Sequence, residues 1–128
     1  MTDVCMIFEV HQPFRLNRNF PRDLLSNPNP EDLFKLYFDM NLNREIFNRI
    51  ARECYFPANK TILEMIEAFK DSDRKFKVSF SLSGIFLEQC ELWSPKLIDS
   101  FKELVDTECV ELLCQTYYHS LASLFSEP

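Results

Sequence analysis

The chain has 128 residues, 14 basic and 20 acidic side chains and a formal net charge of −6, with 46% hydrophobic and 27% charged residues. That size and composition fit one globular domain, or a piece of a larger one, and exclude a disordered chain. The acidic balance argues against a phosphate-backbone binder, and no stretch approaches the ~20 apolar residues of a membrane helix, so neither nucleic acid nor a membrane is an expected partner.

Val4-Cys5-Met6-Ile7-Phe8-Glu9-Val10 is a nearly continuous apolar run and predicts a strand buried on both faces, as in a parallel sheet. Pro13 cannot continue a central strand, so His11 falls at the strand's C-terminal end. A period of two puts Glu9 and His11 on one face, with Phe8 and Val10 on the other. From Arg15 to Pro30, with Pro21 and Pro28 between, the chain reads as a long loop. Asn41 or Asn43 is expected to cap a helix with Ile46, Phe47, Ile50 and Cys54 on one side, which Pro57 interrupts. A second helix follows, with Ile62, Leu63, Ile66 and Phe69 as its stripe, and ends at the Asp71-Ser72-Asp73 turn.

Phe76 to Leu82 alternates strictly, with Phe76, Val78, Phe80 and Leu82 on one face and Lys77, Ser79, Ser81 and Ser83 on the other. Gly84 permits a sharp exit into a short helix over Ile85 to Leu92. Ser94-Pro95 starts another helix, a serine N-cap with proline in the first turn, whose apolar face is Leu97, Ile98, Phe101, Leu104 and Val105. Cys109 to Thr116 is the last predicted strand, with Glu111, Leu113 and Gln115 sharing a face and Tyr117-Tyr118-His119 leaving its C-terminal end. Ser126-Glu127-Pro128 closes the sequence with residue types that begin helices.

An order of strand, helices, strand, helices, strand with long crossovers demands parallel strands, so the fold class is α/β with helices outside the sheet. In such folds, polar side chains at strand C-terminal ends form the site. His11, Gln12, Ser81, Ser83, Glu111, Gln115 and His119 are expected there.

Gly84 is the single glycine, where average usage gives roughly nine. A phosphate loop or dinucleotide fingerprint needs more than one, so both are excluded. Cysteines 5, 54, 90, 109 and 114 form no Cys-x-x-Cys pair and the two histidines lie far apart, so neither a metal nor a cofactor is expected. The odd cysteine count, and an acid at Asp3 in place of a basic leader, point to a reducing cytoplasm with the thiols as small core residues. Tyr117, Tyr118 and Trp93 are either stacking faces for sugars or core and rim packing. Glu64, Glu67, Lys96, Asp99 and Lys102 read as a solvated face.

Three segments together resemble the N-terminal portion of glycoside hydrolase family 57, the α-amylase and 4-α-glucanotransferase group. They are Phe8-Glu9-Val10-His11-Gln12-Pro13-Phe14-Arg15, Cys54-Tyr55-Phe56-Pro57-Ala58-Asn59 with the following helix, and the run from Cys109 to His119; Val78 to Phe86 is similar to the family's second strand. Cys109 stands where a glycine is expected and Ser120 where a proline is. The resemblance covers nearly all of this chain but only the first third or so of a family member's catalytic region.

The resemblance implies the first three units of an incomplete seven-unit β/α barrel that acts on α-glucosidic bonds with retention. Such chemistry needs two carboxyl groups about 5–5.5 Å apart, which the family draws from later strands. Residues 1–128 are then an N-terminal portion ending before those carboxylates. Carried over is a substrate-binding wall: His11 and Gln12 from the first region, Glu111 and His119 from the second, facing an α-glucan or maltooligosaccharide. Without the resemblance, His11 is as well read as a strand-end histidine satisfied by backbone, and Glu111 in its apolar run as a structural ion pair. A Glu9–Glu111 carboxylate pair would fit adjacent strands, but the resemblance places the pair elsewhere. The chain is expected to be truncated and inactive alone. Two alternatives are half of a split enzyme completed by a second chain, and a non-catalytic carbohydrate-binding or interaction module. Open sheet edges would invite self-association.

Overall fold

The computed structural model describes residues 4–20 and 30–120. The proline-rich stretch at 21–29 and the closing Ser126-Glu127-Pro128 lie outside the described residues. The elements run β1 (Ile7–Val10), α1 (Pro30–Tyr37), α2 (Met40–Ile50), a π-helical turn (Ala51–Tyr55), α3 (Phe56–Ala68), β2 (Val78–Leu82), α4 (Gly84–Trp93), α5 (Pro95–Asp106) and β3 (Val110–Leu113). The three strands form one open sheet in the order β1-β2-β3, parallel at both pairings, as the crossover lengths demanded.

Register fixes the faces. Ile7 lies opposite Ser79 and Glu9 opposite Ser81, while Ser79 lies opposite Glu111 and Ser81 opposite Leu113. The alternate rows, Val10, Val78, Phe80 and Val110, are buried against the helices. One face therefore carries the core, and the other, with Glu9, Ser79, Ser81 and Glu111, is uncovered. The expectation that β1 is buried on both faces is corrected: it is an edge strand whose Ile7, Phe8 and Glu9 are all exposed.

The helical layer is tied together by aromatic rings. Phe80 meets Phe101 at 5.3 Å, Phe101 meets Phe86 at 5.9 Å, and Phe86 meets Phe47 at 6.0 Å. Phe47 reaches Trp93 at 5.7 Å, and Trp93 reaches Phe14 at 6.0 Å. Trp93 is thus core packing that fastens the chain after β1 to α4. Fully buried side chains such as Phe47, Phe86, Leu97 and Leu104 each contribute about 1.5–3 kcal/mol by leaving water. In α5, Pro95 opens the helix and Leu97, Phe101 and Leu104 form the buried stripe that the heptad-like spacing predicts.

Several local readings change. The cap of α2 is Asp39, whose Oδ1 accepts from Leu42 N–H at 2.9 Å. Asn43 is instead fully buried: its Oδ1 accepts from Arg15 N–H, and its Nδ2 donates to the carbonyls of Arg15 and Asp39. Pro57 does not break the helix. Phe56 N–H donates back to Ala51 O, and this wider turn absorbs the donor Pro57 lacks and the crowding its ring would cause at Glu53. The stretch after Pro30, left without an element by the sequence, is helix α1, and β3 is shorter than Cys109–Thr116. Of the thiols, Cys90 lies in the core and Cys109 packs against it, but Cys5, Cys54 and Cys114 are exposed. No described helix is long and apolar enough to cross a membrane.

Candidate functional site

The end of β1 and the segment after β3 bring two histidines together across β2. The rings of His11 and His119 lie 5.2 Å apart, tilted by 37°. His11 Nδ1 is 2.9 Å from Ser83 Oγ, one residue past β2, so all three strand exits meet at this point. His119 Nδ1 is 2.7 Å from Glu9 Oε1 on the uncovered face of β1. Neither Nε2 has a hydrogen-bond partner among the described residues. Burial lowers the pKa of His11, the neighbouring His119 lowers it further, and Glu9 opposes both. The net shift favours the uncharged imidazole.

Position 119 is held by what precedes it. Tyr117 O accepts from Ile85 N–H at 3.0 Å, and Tyr117 Oη donates to Glu88 Oε2 at 2.8 Å. That carboxylate pushes the Tyr117 hydroxyl up to about 12, so it stays a donor. The ring rests directly on Gly84, which explains why the chain's single glycine stands there. Tyr117 is thus a clamp on the first turn of α4.

Gln12 has a different place from the histidines. The alternation that puts Glu9 and His11 on the open face turns Gln12 toward the helices, where it is buried. Its Nε2 donates to Tyr55 Oη at 2.8 Å, its Oε1 accepts from Arg15 at 3.3 Å, and its carbonyl accepts from Gln89 Nε2 at 2.5 Å. Tyr55 comes from the π-helical turn, and burial is the main cause raising its pKa.

Glu111 is corrected in position. It was expected beside His11 at the strand exits, but its register with Ser79 puts it on the row of Ile7, at the other end of the sheet. Four residues along a strand separate these rows, about 13 Å. Glu111 is the second residue of β3, which begins at Val110, so it lies at the strand's entrance and not at its exit. Its carboxylate is exposed, on the open face. Glu9 and Glu111 are not on adjacent strands either, since β2 lies between them.

Sequence reasoning singled out His11, His119 and Ser83 and put Glu9 on the face of His11, but missed the pairings His11–Ser83 and His119–Glu9. Ser83 and Glu9 were legible as same-face neighbours of His11. Gly84 against Tyr117 and Gln89 beneath Gln12 were not, because nothing local links residues so far apart in the chain. Among the described residues, no cluster of three or more His, Cys, Asp or Glu side chains could hold a metal ion.

Residues 5–127 match the profile of glycosyl hydrolase family 57. A protein of Methanocaldococcus jannaschii named "Putative alpha-amylase" is 45% identical over 118 residues, which is 92% of this chain and 23% of that protein. The chain thus spans less than a quarter of its relative's length. No solved structure matches it. With the match extending from the first strand past His119, the chain belongs to glycosyl hydrolase family 57.

Proposed function

We propose that this chain supplies part of the substrate-binding wall of a retaining glycoside hydrolase acting on α-glucans, as the first three units of its β/α barrel. The observation that carries this reading is the meeting of His11 and His119 at the exits of parallel strands, each with Nδ1 engaged and Nε2 unpartnered. Two imidazole rings with centroids 5.2 Å apart suit the hydroxyls of one sugar ring. Gln12 acts from behind, fixing the chain beyond β1 through Tyr55 and Gln89. Glu111, at the far end of the sheet, is left out of this wall.

Retention requires two carboxyl groups about 5–5.5 Å apart. On the open face the strand carboxylates are Glu9 and Glu111, and their strands and rows separate their Cα atoms by about 12 Å. Glu9 is also occupied by His119. The reacting pair in this reading therefore comes from outside the described residues. Cytoplasmic residence belongs to the same reading and is supported by five cysteines that are all free.

One observation favours a covering element, from a longer protein or a second chain. An apolar groove runs between α5 and β3, lined by Ile98, Phe101, Val105 and a half-exposed Leu112. A further β/α unit would bury it.

The test is titration of the isotope-labelled chain with maltoheptaose, alongside a turnover assay. Shifts confined to His11, His119 and their neighbours, abolished in His11→Ala, with no released product, are the expected result. Turnover lost in Glu111→Gln would place the reacting carboxylates here and overturn the proposal.

A further inference from the structure

We propose that Glu9 is a positioning residue that fixes the tautomer of His119, so that this ring offers Nε2 as an acceptor to a donated hydroxyl. An ionised carboxylate has only acceptor oxygens, so the 2.7 Å contact between Glu9 Oε1 and His119 Nδ1 places the ring proton on Nδ1. In the uncharged ring Nε2 then carries a lone pair. No other described group competes for it.

The pairing is built into the fold. Glu9 shares its face with His11 by strand parity, which aims its carboxylate away from the helical core. His119 is brought to it by the clamp two residues earlier, where Tyr117 is bonded at both its carbonyl and its hydroxyl and its ring is seated on Gly84. The His11 ring lies 5.2 Å from that of His119 and is tied to Ser83. Both imidazoles are therefore held by Nδ1.

The charged group beside the two rings is the carboxylate of Glu9, whereas the Arg15 guanidinium is engaged by the Pro13 carbonyl and by Gln12 on the helical side. The site thus suits a neutral polyol and disfavours an anionic sugar. This ligand claim rests on the proposed glucan reading, whereas the tautomer claim does not.

Long-range proton–nitrogen NMR of the labelled chain at pH 8 reads the tautomer directly. In the unsubstituted chain His119 should show a protonated Nδ1 and a lone-pair Nε2. Glu9→Ala should return the ring toward the mixture of free imidazole, and Glu9→Gln, which keeps an acceptor oxygen, should retain most of the Nδ1–H form. Glu9 is exposed on an edge strand, so all three chains should fold. A His119 tautomer unchanged in Glu9→Ala overturns the proposal. Maltoheptaose binding should weaken roughly tenfold in Glu9→Ala, the loss expected for one good hydrogen bond. A tautomer shift without any maltoheptaose binding to the parent chain would leave the role of Glu9 standing and overturn the glucan reading.

Discussion

The ring of Tyr117 lies so close over Gly84 that a Cβ added there would fall 2.2 Å from Tyr117 Cδ2 and 2.7 Å from Cγ. No side chain fits in that space without moving the ring from its base. Because Tyr117 precedes His119 by two residues, the contact links the exit of β2 to the histidine across it.

Gly84→Ala should therefore destabilise the fold although it removes a glycine from a helix. The propensity gain is about 0.5–1 kcal/mol, and the overpacking cost about 1–3 kcal/mol. A net loss is expected in urea unfolding, with altered resonances at His119. Most of the loss should vanish in a Tyr117→Ala background, since residues in contact are not additive. Additive effects would show that the ring is not held there.

Glu108 has φ of 58°, the left-handed region, just after the C-cap of α5, and its N–H donates to Val105 O. This is the position where helices favour glycine. Cys109, where the family pattern called for a glycine, has no such backbone. Glu108→Gly should raise stability by about 0.5–1 kcal/mol, the strain removed less the added unfolded-state entropy. Cys109→Gly should lower it. Thermal melts of the two variants decide between the positions.

Asn43 stitches the segment after β1 to the start of α2 with three side-chain hydrogen bonds from a fully buried position. Asn43→Ala should cost about 1–3 kcal/mol by leaving buried backbone groups unpaired. Asn43→Asp should cost more at neutral pH, because its carboxylate would face the carbonyl oxygens of Arg15 and Asp39. Protonating that acid supplies one donor, so the gap between the variants should narrow toward pH 4.

Thiol titration separates the cysteines. Burial pushes Cys90 up to about 12 and removes it from solvent, whereas Cys5, Cys54 and Cys114 are exposed. A disulfide reagent at pH 8 should modify those three in the folded chain and reach Cys90 only on unfolding. Early modification of Cys90 would mean that the helical layer opens locally.

The parallel order of the strands was legible because crossover length leaves no other choice, and the strict alternation of Phe76 to Leu82 announced both faces of β2. The same alternation carried the information that Gln12 turns away from His11, since parity sorts it with Phe8 and Val10. Pro57 misled because a proline's cost depends on whether the preceding turn can widen, and that is decided by packing around Tyr55. Asn43 misled for a related reason: its residue type suits a cap, but burial of Phe47 turned it inward. Glu111 was misplaced because the register of β3 on β2, which the sequence does not specify locally, sets it opposite Ser79 near the strand's start. Contacts such as Tyr117 on Gly84 join residues more than thirty positions apart, and only the closed tertiary structure specifies them.

His11 gives the fold a pH dependence with a definite sign. Its pKa is lowered from 6.5 by burial first and by His119 second, with Glu9 opposing. A lowered histidine pKa means that the unfolded chain binds the proton more readily, so stability rises with pH across that interval. The contribution is complete above about pH 6.5, the unfolded value, and is lost as pH falls through the folded value. His11→Gln keeps a hydrogen-bonding group beside Ser83 but cannot titrate. The difference in unfolding free energy between parent and variant should be constant from pH 8 to about 7 and should then move steadily against the parent chain as the pH falls toward 5. A difference that stays flat across this range would mean that Glu9 cancels the effect of burial, and one that turns in favour of the parent would mean that Glu9 outweighs it and holds His11 charged.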